Sequence, residues 1–116
     1  MYAEMLQHSG YVVITAKDGV EAVELASRAP FDLVILDLAM PRMDGIAVIR
    51  TLRSREATQD IPIITVSALV GSGMHSSVLE AGADAALDKP CLPREMERSV
   101  RRWLAQRRRR AREERP

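Results

Sequence analysis

One cysteine, Cys91, stands in 116 residues, so no internal disulfide can form. A reducing, cytoplasmic setting is the natural expectation. No metal-ligand spacing surrounds Cys91, which reads as a small, buried or half-buried hydrophobe. The two histidines, His8 and His75, are isolated and far apart, and suggest neither a metal site nor a phosphohistidine. No apolar run approaches the roughly 20 residues a membrane span needs. Met1-Tyr2-Ala3-Glu4 lacks the basic start of a signal peptide. Net charge is only +1, which argues against a nucleic-acid surface over the whole chain. That near-neutral figure hides an asymmetry, because Arg107-Arg108-Arg109-Arg110-Ala111-Arg112 is strongly basic. No aromatic residue is interleaved there for base stacking.

Hydrophobic residues make up 47% of the chain, enough for one domain with a real core. Helical and strand patterns alternate. Met1 to Ser9 reads as the end of a helix, stopped by Gly10. Tyr11-Val12-Val13-Ile14-Thr15 is β-branched and aromatic and predicts a strand. Asp18, with Glu21 three residues on, predicts a capping box for a helix with Val20, Val23, Leu25 and Ala26 on its apolar side. Strands follow over Phe31–Asp37, Ile61–Ser67 and Asp84–Asp88. Asp44 caps a helix carrying Ile46, Val48, Ile49 and Leu52. Gly71-Ser72-Gly73 opens a weaker helix with Val78 and Leu79, closed by Gly82. A last helix starts near Pro93, with Leu92, Met96, Val100, Trp103 and Leu104 at helical spacing, and runs on into the arginines. Such repeated units predict a doubly wound parallel sheet with helices on both faces.

Three polar residues close apolar runs: Asp37, Ser67 and Lys89. If the runs are parallel strands, all three emerge at one carboxyl edge, where ligands gather in open α/β sheets. A carboxylate, a hydroxyl and an ammonium together suit accepting a phosphoryl group and holding its oxygens. Each has a plainer reading: Asp37 as a turn residue, Ser67 as a helix cap, Lys89 as a solvated cation. Asp32, Asp44 and Asp60 read as cap and loop residues. A hydrolase or phosphatase using Asp37 as a turnover nucleophile needs a second acid nearby. Ala39, two residues on, offers none, so the expectation is a protein that is not an enzyme.

These residues resemble the receiver domain of bacterial response regulators, the CheY-like family with its flavodoxin-like fold. Asp37-Leu38-Ala39-Met40-Pro41-Arg42-Met43-Asp44-Gly45 is similar to its phosphoacceptor segment, D-x-x-M-P-x-M-D-G. Asp18-Gly19-Val20-Glu21-Ala22 is similar to its D-G-x-E-A helix start. Ile61-Pro62-Ile63-Ile64 leading to Ser67-Ala68, Glu80-Ala81-Gly82-Ala83-Asp84 and Asp88-Lys89-Pro90 complete the match. The resemblance implies a two-component phosphorelay module over residues 1–106, with an arginine-rich tail over 107–116. Asp37 takes the phosphoryl group from a histidine kinase or phosphotransfer protein, Ser67 hydrogen-bonds it, and Lys89 pairs with its oxygens across a cis Lys89-Pro90 bond. Asp37 and the backbone carbonyl of Ala39 serve magnesium.

Two departures qualify those roles. Relative to the family the chain begins at the first helix, without the preceding strand and its two adjacent acids, so magnesium binding is expected to be weak or absent. Ala86 stands where the family has its switch aromatic. The alternative reading is therefore a degenerate receiver that binds partners without phosphorylation. About four strands are expected to remain, with Tyr11–Thr15 moving inward to pair with Phe31–Asp37. Strand exchange in a homodimer, a start recorded too late, and a lost output domain are further expectations. Nucleic-acid contact is expected only through the arginine tail, and no membrane contact.

Overall fold

A computed structural model describes residues 2–39, 44–68 and 73–114, with side chains through Arg107. In chain order the elements are α1 (Tyr2–His8), α2 (Gly19–Arg28), β1 (Val34–Asp37), α3 (Gly45–Ser54), β2 (Ile63–Ser67), α4 (Met74–Ala81), β3 (Ala85–Asp88) and α5 (Pro93–Glu114). The strands form one parallel sheet in the order β1-β2-β3. Every residue of β2 is buried, as a central strand requires.

Alternation along β2 divides the interior into two cores. Ile63 joins Leu36, Val23, Ala26, Val48, Ile49, Leu52 and Val78, so α2, α3 and α4 pack on one face. Ile64 and Val66 join Leu6, Cys91, Met96 and Val100, so α1 and α5 pack on the other. The doubly wound expectation holds.

Local signals explain the helix ends. The Asp18 carboxylate accepts from the Glu21 N–H at 2.9 Å, and Glu21 reaches back to the Lys17 N–H at 3.2 Å. Asp44 accepts from the Ala47 N–H at 3.1 Å. Gly10 and Gly82 follow α1 and α4 with φ of 96° and 124°, in the left-handed region that a side chain disfavours.

Tyr11–Thr15 is not a strand, which corrects the expectation of four strands to three among the described residues. Its period-2 alternation survives. Tyr11 and Val13 pack against the α1/α5 core, while Val12 is 92% and Ile14 55% exposed. What fails is the ladder. The Tyr11 N–H is committed to the Leu6 carbonyl at the end of α1, at 3.1 Å. Moving inward to β1 means giving up that bond and the anchorage of Tyr11 and Val13 beside α1. Among the described residues β1 pairs with β2 alone. Alternate residues of a parallel strand bond the same neighbour. The Val34 and Leu38 N–H groups bond toward β2, so Ile35 and Asp37 present their backbone groups to the other side, where no strand lies among the described residues.

Val20, Leu79 and Leu92 are exposed rather than in the core positions their spacing suggests. Trp103 follows its helical spacing, half-buried with Val100 and Leu104 on the face shared with α1. Its edge position sets the expected cost of Trp103→Ala at about 2 kcal/mol, below the ~3–5 of a fully buried aromatic. A urea titration measures that cost, and Trp103 emission should shift to the red on unfolding.

Candidate functional site

The carboxyl edge of the sheet is assembled by register. Asp37 lies opposite Val66 on β2, and Ser67 opposite Asp88 on β3. The Leu38 N–H donates to the Val66 carbonyl and the Lys89 N–H to the Ser67 carbonyl, each at 2.9 Å. These bonds carry the pairing one residue past each strand end and fix where Asp37 and Lys89 leave the sheet.

There the Lys89 ammonium donates to both oxygens of Asp37, at 2.8 Å each. The pair is half-exposed, so it is reachable from solvent. Asp37 Oδ1 also accepts the Ala39 N–H at 3.0 Å, an Asx turn that orients the carboxylate. Ser67 is 3% exposed at the end of β2, between the strands that carry the other two. The Lys89-Pro90 peptide is cis. Met40, Pro41, Arg42 and Met43 of the motif, and Gly71 and Ser72 before α4, lie outside the described residues. The motif's last glycine has a packing role: a Cβ on Gly45 would collide with the side chain of Leu38, next to Asp37.

Two neighbours escaped the sequence reading. Nε2 of His75, on α4, lies 2.7 Å from Oδ1 of Asp88, beside Lys89. The two are far apart in sequence and only the parallel β2–β3 pairing brings them together. Tyr2, on α1, donates its phenolic hydrogen to the Cys91 carbonyl at 3.3 Å. Burial, chiefly, raises the Tyr2 phenol above its ordinary pKa, with the charges of Cys91 and Asp37 adding to it. Burial likewise raises the Cys91 thiol, helped by the charge of Glu95. Among the described residues no group of three or more histidine, cysteine, aspartate or glutamate side chains gathers as a metal site. No described helix is long and apolar enough to cross a membrane.

Comparison with known proteins matches this geometry. The family model for the response regulator receiver domain covers residues 1–101. The response regulator MprA of Mycobacterium leprae is 40% identical over 99 residues, covering 85% of this chain and 42% of that protein. The probable transcriptional regulator ycf27 of Porphyridium aerugineum is 42% identical over 95 residues, covering 82% of this chain and 38% of that protein. The chain thus spans less than half the length of these curated relatives. Among solved structures, the receiver domain of the sensor histidine kinase PA1611 from Pseudomonas aeruginosa superimposes with a TM-score of 0.81 at 33% identity. It covers 88% of this chain and 84% of its own, and carries a magnesium ion coordinated in its active-site cleft. A CheY-like receiver from Methanospirillum hungatei shares the fold at a TM-score of 0.83 and 24% identity, over 93% of this chain and 85% of its own. With its motifs in order, its parallel sheet and its acid–lysine pair at the carboxyl edge, the chain belongs to the response regulator receiver family.

Proposed function

We propose that Asp37 accepts a phosphoryl group from a histidine kinase or phosphotransfer protein, with Lys89 and Ser67 holding its oxygens. The observation that carries this reading is the Lys89 ammonium set on both oxygens of Asp37. In transfer from a phosphohistidine, a carboxylate oxygen of Asp37 bonds to phosphorus as the phosphorus–nitrogen bond breaks and the imidazole leaves. Negative charge then accumulates on the phosphoryl oxygens beyond the carboxylate. Lys89, already on the carboxylate, would follow that charge, and the Ser67 hydroxyl, at the end of the neighbouring strand, would donate a hydrogen bond. Positioning and charge neutralisation supply most of the catalysis in this chemistry.

Magnesium is the weak point. The ion demands near-ideal octahedral oxygen ligands and is usually held by one or two carboxylates. This chain brings the carboxylate of Asp37, already engaged by Lys89, and the carbonyl of Ala39. That donor set does not fit a tightly held ion, and binding is expected to be weak. The second reading, a receiver that works without phosphorylation, is favoured by Ala86. It faces the α2/α3/α4 core with a side chain too small to swing between states.

Acetyl phosphate with magnesium, followed by intact-mass analysis, separates the readings. Slow labelling confined to Asp37, absent in Asp37→Asn and at least about tenfold slower in Lys89→Ala, is the expected result. Labelling that survives Asp37→Asn overturns the site. Complete absence of labelling, and of beryllofluoride uptake, favours the phosphorylation-independent reading.

A further inference from the structure

The remaining unexplained feature is α5. Over Pro93–Glu114 it holds nine arginines and four glutamates, a net charge of +5. Residues 1–92 carry a net charge of −5, so the molecule is electrically two-sided. The arginines are not spread evenly. At 3.6 residues per turn, Arg94, Arg98, Arg101 and Arg102 fall on the side away from the buried Met96 and Val100, and all four are exposed. Positions 108, 109 and 112, also arginine, fall on the same third of the helix circumference. The stripe from position 94 to 112 is about 27 Å long at 1.5 Å per residue.

Of the four described arginines on this outer face, one is ion-paired. Glu97 pairs with Arg101 at 2.7 Å, and Arg102 lies 5.2 Å from the Trp103 ring centre. Among the described residues no ion pair involves Arg94 or Arg98. Arg107 is different: it sits on the packed side and bonds the Phe31 carbonyl.

We propose that this outer face of α5 is a docking surface for the phosphate backbone of duplex nucleic acid, bound without sequence preference. Three observations select that partner. The cations are arginines, whose forked donors match phosphate. The face holds no large apolar side chain; Ala105 is the one apolar residue between its arginines. A protein interface lacks its anchor there, and a membrane helix lacks its apolar side. No exposed aromatic residue is available to stack unpaired bases, since Trp103 leans on the core, which disfavours single strands.

The test is fluorescence anisotropy of the full chain with a labelled random-sequence DNA duplex at several salt concentrations. The logarithm of affinity should fall with the logarithm of salt with a slope of about −0.9 per phosphate contacted, hence roughly −3 to −6. The double variant Arg94→Gln/Arg98→Gln, both at exposed positions, should flatten the slope by about 2 and weaken binding about tenfold or more at low salt, with an unchanged far-ultraviolet spectrum. Arg28→Gln, an exposed arginine on α2, should change neither. No binding at 50 mM salt overturns the proposal. So does equal loss from Arg28→Gln, which makes the effect one of net charge. Tighter binding to poly-glutamate than to the duplex overturns it in favour of an acidic protein partner.

Discussion

Replacing Arg53 with methionine should lower the stability of the fold by about 3–4 kcal/mol, as measured by urea unfolding. Arg53, near the end of α3, donates to the carbonyls of Gly82 at 2.9 Å, Gln59 at 3.0 Å and Ile61 at 2.6 Å. Its other terminal nitrogen, Nη2, donates to Oδ2 of Asp84 at 2.9 Å, and that same oxygen accepts the Ile63 N–H at 2.8 Å. One guanidinium therefore ties α3, the turn after α4, the lead into β2 and the lead into β3 at the end of the sheet opposite Asp37. Methionine keeps the apolar stem and loses every donor. The carbonyls and a largely covered carboxylate are left without their cation, at about 1–3 kcal/mol for each group that water cannot reach. Lysine keeps the charge but cannot fork to four acceptors, and should recover less than half of the loss. A methionine variant within about 1 kcal/mol of the parent would show that water replaces the guanidinium.

The second large effect is expected at the open side of β1. Joining an apolar strand that ends in two adjacent acids ahead of α1 should stabilise the protein by several kcal/mol and speed labelling of Asp37 by about 100-fold. The first gain comes from the outward backbone groups of Ile35 and Asp37 and the exposed Val12 and Ile14. Each new ladder bond contributes about 1 kcal/mol, with apolar burial added. The second gain is worth ~2.7 kcal/mol of barrier, and reflects carboxylates able to hold a divalent ion beside Asp37. An otherwise identical strand ending in two asparagines should keep the stability and lose the rate. If both versions label alike, the acids are dispensable and the strand acts by ordering the edge. If neither stabilises, the open side of β1 does not accept a strand.

Those two outcomes depend on features of different legibility. The edge bearing Asp37, Ser67 and Lys89 could be read from the sequence because each residue ends an apolar run, and run ends map onto one sheet edge when strands are parallel. Asp18 and Asp44 were equally legible, since a cap is a local interaction spanning three residues. Tyr11–Thr15 was misread for the opposite reason. Its composition reports fitness for a pleated, half-buried surface, but a ladder also requires a neighbour, and the neighbour is not written in those five residues. Arg53 and Asp84 lie 31 residues apart, and nothing local distinguishes Arg53 from the other arginines of the chain. His75 and Asp88 likewise meet only through the sheet. Val20, the second residue of α2, shows the limit of helical spacing: it is exposed, because spacing alone does not say which apolar positions a neighbour will cover.

Helix α5 has a mechanical consequence. Its first residue, Pro93, stands four positions after Lys89, whose ammonium grips Asp37. Its 22 residues make a rod about 33 Å long. A tilt of about 5° at the Pro93 end carries the far end sideways by roughly 3 Å, the lever arm being that length. A sub-ångström relaxation of Lys89 as its ionic partner changes would thus be magnified at Glu114. A pair of spin labels, one on exposed Arg55 and one at Ala111, would read that displacement directly as a shift in their separation when beryllofluoride is added to the strand-extended protein.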